Sequence, residues 1–170
     1  DLSLLADGGD THDAVSLTLT FWSDLSVKGV SFDFLFGSEE FPEWVGTQFN
    51  DDFGVFLDGK NIAFDNDGKP ISVNNNFFML NNDVWNPSDS ATIGKLPVYL
   101  PFEYDGLTPL LSTSKRLTPG FHTIKFVIAD TGDSILDSVV FLSKLRFRLE
   151  IEGTGKAQPD LRAHYLFDDG

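Results

Sequence analysis

The chain has 170 residues, with 26 Asp and Glu against 12 Lys and Arg, and its formal net charge at pH 7 is −14. This charge excludes binding to the phosphate backbone of a nucleic acid, because both partners would be anionic. Hydrophobic residues account for 41% of the chain and aromatic residues for 14%, which predicts a folded domain with a substantial core. The absence of cysteine excludes disulfides, thiolate metal sites and a cysteine nucleophile.

Alternation of apolar and polar residues predicts strands that each bury one face. The clearest alternating runs are, in chain order, residues 15–21, 30–36, 53–57, 122–128 and 145–151. A tight hairpin is predicted at residues 58–61, where the sequence reads Asp-Gly-Lys-Asn. Helices are expected to be short or absent, since no long stretch has helical periodicity.

These strands predict an all-β fold, an antiparallel β-sandwich or a jelly-roll-like domain with long calcium-stabilised loops. The 17 Phe residues suit a thick core between two sheets, because Phe buries a large apolar area without needing a hydrogen bond. One domain is expected over residues 1–152, with residues 153–170 as a last edge strand or a linker to another module. Two long polar connections, residues 37–52 and 74–117, are expected to carry the function.

Carboxylates concentrate in the first of these connections. Between positions 39 and 52 there are five carboxylates and one Asn, with no Lys or Arg. Like charges so close together repel one another, and a Ca²⁺ ion with six to eight oxygen ligands would relieve that repulsion. The alternative is a solvated acidic loop, which is what most charge runs are.

A second acidic segment, residues 130–138, follows the fourth strand. A sharp turn at Gly132 could bring its three Asp residues towards the first segment, although these side chains could instead cap backbone amides. Residues 65–68 resemble only the start of an EF-hand loop and are predicted to form a turn. The predicted calcium ligands are Glu39, Glu40, Asn50, Asp51, Asp52, Asp130, Asp133 and Asp137, with Asp7 and Asp13 as a second site.

No catalytic motif is present, and the protein is not expected to be an enzyme. A glycoside hydrolase is the best enzymatic alternative, with candidates among Glu39, Glu40, Glu43 and Asp130. Its two carboxyl groups must face each other at about 5–9.5 Å, which neighbours on one extended strand cannot do. His122 falls on the apolar side of its strand and is expected to be a core or rim residue.

Aromatic side chains within the polar connections are candidates for ligand binding. They could stack on a sugar ring or form the walls of a peptide groove, and they could equally fix each loop to the sandwich. The predicted ligand-binding residues are Phe41, Trp44, Trp85 and Tyr104.

Residues 34–59, with their Phe-Gly-Ser-Glu-Glu-Phe-Pro-Glu-Trp motif, and residues 128–138 resemble the choice-of-anchor L family. The resemblance covers residues 17 to about 142 and implies an extracellular bacterial module in a protein tethered to the cell surface. The chain is also similar to the calcium-dependent peptide-binding domain of giant repeats-in-toxin (RTX) adhesins. That likeness implies binding to the C-terminal end of a partner polypeptide.

The function expected from these features is calcium-dependent peptide binding by a bacterial surface adhesin, in cell adhesion and biofilm formation. A carbohydrate-binding, lectin-like module is the main alternative. The chain begins at Asp1 without an initiator Met and is expected to be part of a larger multidomain protein. No apolar run reaches the length of about 20 residues that a membrane-spanning helix needs.

Overall fold

The structure is a computed structural model that describes residues 11–65, 67–75, 79–80, 104–132 and 135–149. Within these ranges the chain forms eleven β-strands and no helix. The strands are β1 (Thr11–Ser23), β2 (Val27–Ser38), β3 (Asn50–Leu57), β4 (Lys60–Asn61), β5 (Ile71–Ser72), β6 (Met79–Leu80), β7 (Gly106–Leu107), β8 (Leu111–Arg116), β9 (Gly120–Thr131), β10 (Ser138–Leu142) and β11 (Arg146–Leu149).

The strands form two antiparallel sheets arranged as a sandwich, which confirms the predicted all-β fold. In the first sheet the order is β1, β9, β3 and β4, and β5 also pairs with β3. The second sheet is built on β2, which pairs with β7, β8, β10 and β11, while β6 pairs with β7. The predicted hairpin is present between β3 and β4.

The core lies between the two sheets and is rich in Phe. Alternate residues of β2 point inward, so Phe32, Phe34 and Phe36 are each at most 1% exposed. Phe32 packs against Phe126 of β9 with ring centroids 5.3 Å apart, and Phe34 packs against Phe53 of β3 at 5.2 Å. Five large rings from three strands thus hold the sheets together, as aromatic cores commonly do.

Two predictions about the long connections are wrong. The connection at 74–117 contains β6, β7 and β8, which are too short or too polar for an apolar alternation to reveal them. The connection at 37–52 ends early, because β3 already begins at Asn50 and includes Asp51 and Asp52 as buried residues. The sequence predicts a loop at these two Asp residues because strands seldom bury unpaired charged residues.

The prediction that the first strand buries its whole apolar row is also wrong. Leu19 and Phe21 do pack against the core, whereas Val15 is 66% exposed and Leu17 is 45% exposed. In the described part of the chain β1 pairs with β9 alone, so its inward side chains have a neighbouring strand on one side only. The predicted domain end near residue 152 lies outside the described residues.

Candidate functional site

At one end of the sandwich, the core-facing rows of three strands change from apolar to polar residues. On β3, Asp51 lies two positions before the buried Phe53 and therefore points to the same side. On β2, Ser38 follows Phe36 in the same way. Asp130 of β9 lies directly opposite Asp51 in the strand register. We call this region the acidic end, formed by Ser38, Glu39, Glu40, Asp51, Asp105, Asp130 and Asp137.

Asp51 is the central residue of the acidic end and has no exposed surface. Its Oδ2 accepts a 2.5 Å hydrogen bond from Ser38 Oγ. Its Oδ1 is buried. Burial raises the pKa of Asp51 to about 8, the charges of Glu40 and Asp130 and a side-chain hydrogen bond with Asp130 add to this rise, and the Ser38 hydrogen bond opposes it. Asp51 is therefore mostly protonated at pH 7 unless a cation takes the place of its proton.

Glu40 is joined to the same centre through Ser38. Its side chain is 2% exposed, and its backbone N–H donates a 2.9 Å hydrogen bond to Ser38 Oγ. Ser38 thus bridges the two buried acids, as a donor to Asp51 and an acceptor from Glu40. The short turn after Glu40 is closed by a 3.0 Å hydrogen bond from Trp44 N to Glu40 O.

Asp52 points to the opposite face of β3 and has its own hydrogen-bond donors. Asn50 Nδ2 donates to Asp52 Oδ1 and Thr131 Oγ1 donates to Asp52 Oδ2, both at 2.9 Å. Asn50 Oδ1 in turn accepts a hydrogen bond from Asn74 N at 2.9 Å. These contacts give Asp52 and Asn50 a structural role in holding the ends of β3 and β9 together.

The two predicted acidic segments do meet at this end. Glu39 N donates to Asp137 O at 3.1 Å, and Asp137 N donates to Glu39 Oε2 at 3.3 Å. Asp105, next to β7, belongs to the same region, because burial and then the charges of Glu43 and Glu39 raise its pKa. Sequence reasoning missed Asp105, since it lies alone in a segment that was predicted to be a loop.

A cleft of about 340 Å³ opens beside Asp130, at the start of β1. Three carboxylates line it, and so do three aliphatic side chains: Asp13, Asp130, Asp137, Val15, Ile128 and Leu136. A cleft that combines carboxylates with apolar walls suits a ligand that is both cationic and partly apolar. Asp130 contributes to this cleft and also to the buried acidic centre.

The predicted ligand-binding aromatic residues lie in different environments. Phe41 is 7% exposed and belongs to the core, so it fixes the loop to the sandwich. Trp44 is 42% exposed and packs edge-to-face on Phe49 at 5.3 Å. Tyr104 is half-buried. Trp85 lies outside the described residues, as do the predicted metal ligands Asp7 and Asp133.

Three or more carboxylate or imidazole groups do not converge as a metal-binding cluster anywhere in the described ranges. The oxygen atoms of the acidic end are of the type that Ca²⁺ prefers, although the described side chains do not form a closed cage.

The predicted turn at residues 65–68 is confirmed, because Asp65 Oδ1 accepts hydrogen bonds from the backbone N–H groups of Asp67 and Lys69.

His122 is a buried rim residue, as the sequence predicted, and lies away from the acidic end. Its Nδ1 donates to Asp58 Oδ2 at 2.6 Å and its Nε2 donates to Thr118 O at 2.7 Å. These hydrogen bonds, the one to Thr118 first, raise the pKa of His122. Both partners are hydrogen-bond acceptors, so these contacts favour the protonated imidazole, which donates from both ring nitrogens.

Comparison with known proteins gives one family match. Neither a curated protein nor a solved structure matches the chain significantly. A family model described as the Choice-of-anchor L domain matches residues 1–148, which include all the described residues except the last. This description indicates an extracellular module of a surface-anchored protein. Within the described residues, no helix is long and apolar enough to cross a membrane. The chain belongs to the choice-of-anchor L domain family.

Proposed function

We propose that this domain is a calcium-dependent, non-catalytic module of a bacterial surface adhesin that binds a polypeptide partner in cell adhesion and biofilm formation. Membership of a surface-anchored family supports the location. The observation that carries the calcium part of the proposal is Asp51, whose carboxyl group is fully buried beside the carboxyl groups of Glu40 and Asp130.

Burying a carboxylate without a counter-charge is costly, and a bound cation is one of the few ways to offset that cost. The neighbouring groups are all hard oxygen ligands, which suit Ca²⁺: the carboxylates of Asp51, Glu40 and Asp130 and the hydroxyl of Ser38. Backbone carbonyls, water and Asp133, which follows Asp130 closely in the chain, would complete the coordination. The bound ion would supply positive charge at a strongly acidic surface and so allow the terminal carboxylate of a peptide to approach it.

Other residues would then position the acidic side chains and form the recognition surface. Ser38 orients Asp51 through its hydrogen bond, and Asp52 and Asn50 fix the strand ends on which the acids lie. Trp44, which is 42% exposed beside the acidic end, would form one wall of the recognition surface. Phe41 packs in the core and so fixes the loop that carries Trp44.

The test is an array of peptides and glycans, probed with the purified domain in Ca²⁺ and again in chelator. Each peptide is printed with a free and with an amidated C-terminus. We expect peptide binding that disappears in chelator and in the Asp51→Asn variant. Asp33→Asn is the matched control, because Asp33 is bound by Ser112 and Arg146 on the other sheet, and it should bind normally. Binding that chelator leaves unchanged would refute the calcium proposal, and binding to glycans alone would favour the lectin-like alternative.

A further inference from the structure

Among the described residues, the outer edge of β1 is long and has no pairing strand. β1 has 13 residues and pairs only with β9 in the part of the chain that the structure describes. Proteins usually protect such an edge with Lys, Pro or a bulge, because its free N–H and C=O groups can pair with another strand. Residues 14–23 contain neither a charge nor a proline, and the register shift of β1 lies before them, between His12 and Val15.

The side chains of β1 present two different rows. Val15 and Leu17 continue the core-facing row of Leu19 and Phe21, yet they are 66% and 45% exposed. The opposite row has small hydroxyl side chains at Ser16, Thr18 and Thr20 and then Trp22, which is 61% exposed. An added strand with apolar residues on one face and polar residues on the other would extend both rows, and it would cover the exposed apolar pair.

Charge indicates what kind of strand fits. The acidic cleft lies at the start of β1, where Asp13 and Asp137 line it together with Val15. The chain carries a net charge of −14, so a second copy of it would be repelled, whereas a basic segment would be attracted. The cleft also has aliphatic walls, which suit the long apolar stem of a Lys or Arg side chain.

We propose that the edge of β1 binds an extended segment of a partner polypeptide as an additional strand, and that the cleft binds a Lys or Arg side chain of that segment. The backbone of the partner pairs with β1, its apolar side chains cover Val15 and Leu17, and its cation lies between Asp13 and Asp137. This inference rests on the proposed function in one respect, namely that the partner is a polypeptide.

Synthetic eight-residue peptides that alternate Val and Thr test the proposal. One peptide carries Lys at both ends, a second carries Glu there, and a third is the Lys peptide with alternate backbone nitrogens methylated along one edge. A fourth is methylated along the other edge. We expect the Lys peptide to bind, the Glu peptide to bind at least about tenfold more weakly, and one of the methylated peptides not to bind at all, because its N–H groups can no longer pair with β1.

The matched variants are Leu17→Lys on β1 and Ser114→Lys, an exposed position on β8 of the other sheet. Leu17→Lys should abolish binding of the Lys peptide and Ser114→Lys should not. Asp13→Asn combined with Asp137→Asn should weaken the preference for Lys over Glu, since Asp130 remains in the cleft. Should Leu17→Lys fail to fold, the methylated peptides still test the strand pairing with the unchanged protein.

The outcomes separate this proposal from the calcium proposal. Binding that requires free backbone N–H groups but persists in chelator would retain the added strand and refute calcium dependence. The added strand would be overturned if neither backbone methylation nor Leu17→Lys changes the binding, or if the Lys peptide does not bind. Light scattering that detects a dimer of the domain, lost in Leu17→Lys, would assign the edge to a second copy instead and would likewise overturn the proposal.

Discussion

Replacing Asp51 with Asn is expected to stabilise the domain in the absence of calcium and to abolish its response to calcium. Asp51 is fully buried beside Glu40 and Asp130. Asn has the same shape and keeps an acceptor for the Ser38 hydroxyl. Its amide group would also offer a donor to the neighbouring carboxylates. The substitution therefore removes a buried ionisable group without leaving a cavity.

The size of the effect follows from the pKa. Burial raises the pKa of Asp51 from its ordinary value of 3.8 to about 8. One pKa unit corresponds to about 1.4 kcal/mol, so keeping Asp51 protonated in the fold, while it ionises in the unfolded chain, costs roughly 4 kcal/mol at pH 7. The folded state holds the proton more tightly than the unfolded state. The free energy of unfolding should therefore fall as the pH rises from about 4 to about 8, and Asp51→Asn should remove that part of the decrease.

Urea denaturation of both proteins between pH 4 and pH 9, in chelator and in Ca²⁺, measures these effects. Calcium at about 100 times its dissociation constant should stabilise the unsubstituted domain by about 2.7 kcal/mol and leave Asp51→Asn unchanged. In the control Asp33→Asn, Ser112 keeps its acceptor but the ion pair with Arg146 is lost, so that variant should be slightly less stable and should respond to calcium normally. The reasoning fails if Asp51→Asn is destabilised in chelator at pH 8.

Three further predictions concern parts of the fold away from this site. The raised pKa of His122 means that its hydrogen bonds to Thr118 and Asp58 stabilise the domain fully below about pH 6.5 and that this contribution is lost as the pH rises through the raised value; Asp58→Asn should reduce that pH dependence in urea denaturation, and the Thr118 hydrogen bond should retain the rest. Gly106→Ala should cost about 1–3 kcal/mol, because the new methyl group would overlap Phe41, and a fall in Tm would show it. Phe53→Ala should cost about 3–5 kcal/mol, since Phe53 has no exposed surface, and an unchanged denaturation midpoint would contradict the proposed core.

The sequence predicted the strands whose alternation is regular and missed those whose alternation is interrupted. The runs at 30–36 and 122–128 became the central parts of β2 and β9, because a row of large apolar residues on one face fixes both strand and orientation. β7 has only two residues, Gly106 and Leu107, and its place follows from pairing with Gly37 and Ser38 of β2. No local pattern can reveal such a pairing between distant segments.

The acidic end was predicted in outline, but its most important detail was not. The sequence suggested that the segments around Glu39 and Asp137 approach each other, and the structure joins them by backbone hydrogen bonds. It also suggested that Asp51 lies in the connection at residues 37–52, whereas Asp51 occupies a core-facing position of β3. When a carboxylate occupies the next core-facing position of a strand, the apolar alternation stops, and the sequence alone predicts that the strand has ended.

The core-facing position of Asp51 on β3 is itself an argument for a ligand. The core-facing row of β3 holds Phe53 next to Asp51, and a further apolar residue at 51 would complete the row without burying a charge. The pKa of about 8 already includes the opposing hydrogen bond from Ser38, so a cost of roughly 4 kcal/mol at neutral pH remains after that bond is counted. Either a cation replaces the proton and offsets this cost, or the domain carries the cost as lost stability. Groups that destabilise a fold and serve its binding site are a recurrent form of the trade between stability and function, and a variant that gains stability while it loses ligand binding would identify Asp51 as one of them.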